Sequence, residues 1–210
     1  MRQLLTKLKC DDFITLVAAS SIIRPGVSQS GMMKQYIERF HNPEKIHYLH
    51  PKMKELLEET YGVMVYQEDV IKVAHHFAGL DMGEADILRR AMSGKYRSHA
   101  QFNLIRDKFF VNCNEKGYPL EITTEVWRQM ESFGGYSFSK AHSASFAVES
   151  YQSLYLKTYY PMEFMVAVIN NFGGFYSTQF YFHELKKTGA KVSPPCINEG
   201  EYLNSFEERK

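Results

Sequence analysis

The run Ser98-His99-Ala100-Gln101-Phe102-Asn103-Leu104-Ile105-Arg106-Asp107-Lys108-Phe109-Phe110-Val111-Asn112-Cys113-Asn114-Glu115 decides the fold. Phe102, Ile105, Phe109 and Cys113 recur at steps of three and four. That period puts them on one stripe of an α-helix rather than on alternate faces of a strand. The spacing predicts a helix over about 98–115 with this stripe against a core. Cys113 reads as a small buried hydrophobe within it.

Outward from this run the helical period recurs. Asp11 or Asp12 can cap a helix carrying Phe13, Leu16 and Val17, which Arg24-Pro25-Gly26 stops. Further helices are expected over about 31–40, from about Pro51, over about 67–78 with Gly79 just past the end, and over about 83–92. On the other side, Thr123 or Thr124 opens a helix holding Val126, Trp127 and Met130, and Gly134-Gly135 ends it. A long helix then reaches Tyr160. Its residues Ala147, Tyr151, Leu154, Tyr155 and Thr158 share a face that reads as core. Pro161 suits the first turn of the next helix, and 181–187 reads as a short one. Two segments interrupt this pattern. Tyr61-Gly62-Val63-Met64-Val65-Tyr66 is either a strand or an extended turn, and its length does not decide. Gly189 to Val192, before Pro194-Pro195, is a second candidate strand. The expected fold class is therefore mainly α, with a short strand near 63–66 and a small C-terminal α/β element. Phe172-Gly173-Gly174-Phe175 reads as a linker dividing 1–171 from 172–210.

The 210 residues carry 25 Lys and Arg against 24 Asp and Glu, a net charge of +1. That balance excludes a generic basic nucleic-acid module, so any polyanion site must be a local cluster. Two windows supply one. Asp86 and Asp107 bracket a carboxylate-free stretch holding Arg89, Arg90, Lys95, Arg97 and Arg106. Glu131 and Glu149 bracket another, where Lys140 and His142 follow Gly134-Gly135, Tyr136 and Phe138. Arg forks pair bidentately with phosphate and Lys adds a point charge. The second window adds serine hydroxyls at a helix N-terminus, which favours anions, and aromatic rings that can stack on a base or wall a sugar. Taken alone, an Arg-Arg pair is usually a solvated face. A single His is more often a structural hydrogen-bonder than a functional group.

Other chemistries fail on spacing. Cys10, Cys113 and Cys196 are scattered, with no CxxC pair, so neither a disulfide framework nor a zinc site is expected. His75 and His76 are adjacent, about 100° apart around a helix, and cannot face one metal. Ser137 to Lys140 matches S-x-x-K and Lys187-Thr188-Gly189 matches K-T-G, the serine β-lactamase pattern, but no S-D-N lies between them. No signal peptide or membrane span is evident, and the expected compartment is the cytoplasm.

Read in order, six runs resemble the fingers domain of the bacterial C-family replicative DNA polymerases. They are Arg24-Pro25-Gly26 with Gln29-Ser30-Gly31-Met32; Glu59 to Glu68; Ala85-Asp86-Ile87-Leu88-Arg89-Arg90-Ala91-Met92; Gly135 to Ala144; Ser150-Tyr151-Gln152; and Tyr160 to Met165. The resemblance runs from about Cys10 to Asn198. It implies a helical fingers domain that binds the incoming deoxynucleoside triphosphate and the primer–template during DNA-directed DNA synthesis. Arg89 and Arg90 would lie on the triphosphate side, Lys140 and His142 near the sugar and base, and Tyr136 beside them. Arg24, Lys95 and Arg97 are further candidate nucleotide or DNA contacts, with a structural role or a palm contact the alternatives for Arg24. His142 or Tyr136 would obstruct a ribose 2′-hydroxyl. No catalytic residue is expected here, because the family holds its catalytic aspartates and Mg²⁺ in the palm, so the piece alone would be inactive. Palm, thumb and other replisome subunits such as the sliding clamp are the implied partners. The chain departs from the family at Ser137, Ser139, Ala141, Ser145 and Phe146, the last lacking a Tyr hydroxyl, and Ser93 lengthens the Arg-Arg-Ala-Met-Gly-Lys run by one residue. A non-catalytic helical nucleic-acid or protein-interaction module is the alternative.

Overall fold

The computed structural model describes residues 1–23, 31–92, 99–134, 138–198 and 200–205. Arg24, Lys95, Arg97 and Tyr136, with the helix stop at Arg24-Pro25-Gly26, lie outside the described residues. Contacts group the chain into two units, Met1–Ala147 and Val148–Lys210.

Among the described residues, the α-helices of the first unit are α1 (Arg2–Leu8), α2 (Phe13–Ile22), α3 (Met32–His41), α4 (Pro51–Leu57), α5 (Gln67–Lys72), α6 (Met82–Met92), α7 (His99–Glu115), α8 (Leu120–Gly134) and the start of α9 (Lys140–Tyr159). Asp12 caps α2, accepting from the Thr15 N–H at 2.7 Å. Asp81 and Glu84 cap α6 reciprocally, each accepting the other's backbone N–H at 2.8 and 3.0 Å. α5 does not stop at Lys72 but widens into a π-helix, Val73–Phe77, whose Val73, Ala74 and Phe77 are buried. The α7 stripe is core as its spacing predicts, with Ile105, Phe109 and Cys113 buried and Phe102 packed against them. Trp127 of α8 meets Phe102 and Phe109, with ring centres 5.8 and 5.2 Å apart. α8 opens at Leu120, earlier than Thr123 or Thr124. The Pro119 carbonyl already accepts the Thr123 N–H, so Thr123 lies inside the first turn and is buried.

The apolar run 63–66 is buried on every side but builds no sheet. Among the described residues its one bridge pairs Tyr66 with Phe138. Tyr61 and Gly62 both adopt positive φ, 56° and 74°, turning the chain before a strand can extend. A Cβ on Gly62 would come within 2.9 Å of both Arg39 and Tyr48. The backbone N–H groups of Val65 and Tyr66 donate to the Asp69 carboxylate, both at 2.9 Å. A buried side chain thus does the work a neighbouring strand would do.

The second unit contains the rest of α9, then α10 (Pro161–Asn170) and α11 (Thr178–Lys187). Met165, Ile169 and Leu185 form its small core, with Phe164, Val166, Tyr181 and Phe182 around them. The Phe172–Phe175 segment joins α10 to α11. Gly173 is required there: its φ is 70°, and a Cβ would meet the Tyr181 ring at 2.3 Å. Gly189 to Val192 forms no strand. It follows α11 without a ladder partner, and an unpaired extended segment has nowhere to place its backbone groups except water. The Lys-Thr-Gly triplet is the end of α11, with Gly189 at φ 91°. The expectation of a core face on Ala147, Tyr151, Leu154, Tyr155 and Thr158 holds only at Ala147, and Thr158 is exposed with the rest. Ala147 is buried, but Tyr151, Leu154 and Tyr155 are 64%, 61% and 50% exposed.

Candidate functional site

α6 carries the first pair of cations. Ala85 and Leu88 bury one face of the helix. Arg89 and Arg90 follow on the flank, one turn beyond Asp86. Arg89 donates Nε and Nη2 to Asp86 Oδ1 at 3.0 and 2.8 Å, and Nη1 to Gln67 Oε1 at 2.9 Å. Arg90 Nη2 lies 2.7 Å from the other Asp86 oxygen. The Arg89 hydrogen bonds, with the charge of both guanidiniums, hold the Asp86 carboxyl below the usual carboxylate range. The Arg89 side chain is 22% exposed and that of Arg90 50%, so Arg89 is the more confined of the two.

The second cation opens α9. The Lys140 ammonium pairs with Glu59 and stands 5.4 Å from the centre of the Tyr66 ring, within cation–π reach. The Lys140 backbone N–H donates to Glu68 Oε2 at 3.0 Å, and Ser139 Oγ donates to Glu68 Oε1 at 3.0 Å. Phe138, His142 and Phe146 follow at four-residue steps. His142 has one phenyl ring on either side, each centre 4.6 Å away and near edge-on. His142 is exposed, and Phe146 is 46% exposed. On the inner side of the same turn, Ser143 is buried and shares a hydrogen bond of 2.5 Å with Ser21 of α2. The first turn of α9 is therefore pinned inward while His142 faces out.

The two windows meet at one short segment. Gln67 receives Arg89 through its side chain, and its backbone N–H donates to the Phe138 carbonyl at 3.0 Å. Glu68 takes the start of α9. Asp69, 2% exposed, fastens Val65 and Tyr66. Successive helix residues point about 100° apart, so Gln67-Glu68-Asp69 fans three side chains in three directions. Burial pushes the Asp69 carboxyl up to about 6, against the pull of its two N–H donors.

Carboxylate-free sequence did not mean carboxylate-free space. Arg89 and Arg90 are matched by Asp86 from the edge of their own window, and Lys140 by Glu59, 81 residues away. Arg106 pairs with Asp107. The roles of Glu59, Gln67, Glu68 and Asp69 were not read from the sequence. Their only signal was membership of the Glu59–Glu68 run, with Asp69 next to it. Cys113, buried in the core, has its thiol pushed up to about 11 by desolvation, and all three cysteines are free. Among the described residues no group of three or more His, Cys, Asp or Glu side chains could hold a metal ion, and no helix is long and apolar enough to cross a membrane.

The first 117 residues match the family model described as the bacterial DNA polymerase III alpha subunit finger domain. The DNA polymerase III alpha subunit of Pasteurella multocida is 38% identical over 99% of this chain, which covers 18% of that relative. Its counterpart from Aquifex aeolicus is 37% identical over 96% of the chain and 17% of the relative. That of Staphylococcus aureus is 37% identical over 97% of the chain and 19% of the relative. The chain thus spans under a fifth of the length of these relatives. With a helical fold, the Arg89-Arg90 and Lys140-His142 runs in order and a family match over more than half its length, the chain belongs to the finger-domain family of the bacterial DNA polymerase III alpha subunit.

Proposed function

We propose that this chain is the fingers of a DNA-directed DNA polymerase and holds the incoming deoxynucleoside triphosphate against the primer–template. The observation that carries this reading is the fastening of both basic windows to the single segment Tyr66–Glu68. Arg90, Arg89 and Lys140 supply cations for the phosphate oxygens. Their present partners Asp86 and Glu59 are substantially exposed, and exposed ion pairs are worth only about 0–1 kcal/mol. A triphosphate, with more charge and more acceptor oxygens, can take their place. His142, braced between Phe138 and Phe146, offers an edge for the sugar or base. Tyr136, Arg24, Lys95 and Arg97 belong to the same proposal on sequence grounds alone.

The chemistry on this reading is attack of the primer 3′-hydroxyl on the α-phosphorus with release of pyrophosphate. The fingers contribute positioning and charge stabilisation rather than a general base. On this reading the Mg²⁺ of the reaction is held by the palm of the parent polymerase, and no step on this chain is routed through it. Thumb, palm and clamp-bearing replisome are the proposed partners, and the cytoplasm the proposed compartment. In the full-length polymerase, Arg90→Ala is expected to lower kcat/KM for the nucleotide about 100-fold. His142→Ala should lower it less, and primer–template Kd should stay within about threefold. Single-nucleotide incorporation with a DNA-binding titration checks this. Unchanged incorporation kinetics in both variants would sink it.

A further inference from the structure

We infer that Glu68 is a positioning residue of the nucleotide site, acting with Gln67 to lock the two cation-bearing elements into one frame. The inference rests on the proposed nucleotide reading and adds a residue to it. The two carboxylate oxygens of Glu68 accept from Ser139 Oγ and the Lys140 N–H, each at 3.0 Å. These are charge-assisted bonds to a helix N-terminus, where a negative charge is favoured. The contact spans 71 and 72 residues of chain, so α9's own sequence does not supply it. One residue earlier, Gln67 ties Arg89 at 2.9 Å by its side chain and Phe138 at 3.0 Å by its backbone. The path from Arg89 to Lys140 thus runs through the side chains of two adjacent residues, Gln67 and Glu68, joined by one peptide bond.

The alternative role for Glu68 is a helix cap that stabilises the fold and nothing more. The two roles separate in kinetics. A cap whose loss merely lowers the folded fraction reduces the active enzyme concentration, leaving nucleotide KM unchanged. A positioning residue whose loss lets α9's first turn drift from Arg89 and Arg90 misplaces the cations for the triphosphate, so KM rises.

The test is steady-state single-nucleotide incorporation by the full-length polymerase carrying Glu68→Ala, Glu68→Gln, Ser139→Ala, Arg90→Ala or Lys140→Ala. Glu68→Ala is expected to raise nucleotide KM about tenfold, the equivalent of one charge-assisted hydrogen bond. Primer–template Kd should not move. Glu68→Gln can still accept from the Lys140 N–H and donate to Ser139 Oγ, so it should recover most of the wild-type KM. Ser139→Ala should raise KM by a smaller factor. If Glu68→Ala does not fold, Ser139→Ala and the wild-type-like KM of Glu68→Gln carry the decision. Wild-type KM in Glu68→Ala, or in Ser139→Ala when that variant decides, while Arg90→Ala and Lys140→Ala raise it, overturns the role of Glu68 and leaves the nucleotide reading standing. Wild-type KM in Arg90→Ala and Lys140→Ala overturns the nucleotide reading itself.

Discussion

The two cationic regions of this molecule are built in opposite ways. On α6, Arg89 and Arg90 reach a carboxylate three and four residues back on their own helix, and each pair is closed by the helical repeat alone. At the start of α9, Lys140 is held by Glu59, Glu68 and the Tyr66 ring, all from a segment more than 70 residues away. The two ion pairs of the first survive wherever α6 is helical, and the Arg89 bond to Gln67, 22 residues away, is tertiary. The second exists only when the 59–69 segment is folded, and that segment depends on one buried carboxylate. The contrast teaches that equal-looking basic windows differ in what sustains them: a local period in one, tertiary wiring in the other.

The largest break should come at Asp69. Asp69→Ala strands the buried N–H groups of Val65 and Tyr66 and is expected to cost about 2 kcal/mol. Hydrogen exchange should accelerate over 138–146 far more than over 86–92. Equal acceleration in both segments would erase the distinction between the two regions. The same residue gives a pH signature. Its carboxyl sits near 6 in the fold against 3.8 as the ordinary value, so the folded state holds the proton more tightly. Its contribution to stability is fully present below about pH 4 and is lost as pH rises through about 6. Asp69→Asn should flatten that fall in thermal unfolding measured across this window.

A smaller effect is expected at Asp86. Its pairs with Arg89 and Arg90 are partly exposed, so Asp86→Asn should cost less than about 1 kcal/mol and leave exchange at 138–146 unchanged. Urea unfolding compared with the wild type checks the size. The smallest effect belongs to the far half of α9. Tyr155 is 50% exposed, and Tyr155→Ser should shift the stability of the chain by no more than about 0.5 kcal/mol. A shift of several times that, in the same unfolding measurement, would mean that its face is packed after all.

Much of this was legible in the chain alone. The steps of Phe102, Ile105, Phe109 and Cys113 fixed a core-facing helix, and the Asp11-Asp12 pair and Gly79 marked helix ends, because caps and periodicity act over one turn; the fold chose Asp12 of the pair. The order of the Arg89-Arg90 and Lys140-His142 runs pointed to the family. The tertiary structure decided the rest. It turned the 63–66 run into a capped extended segment, since a strand requires a partner that sequence period does not reveal. It brought Glu59, Gln67 and Glu68 onto Arg89 and Lys140, because charges far apart in sequence are paired only by the fold. It left Tyr151, Leu154 and Tyr155 exposed, since a helical period says which residues share a face and not whether anything covers it.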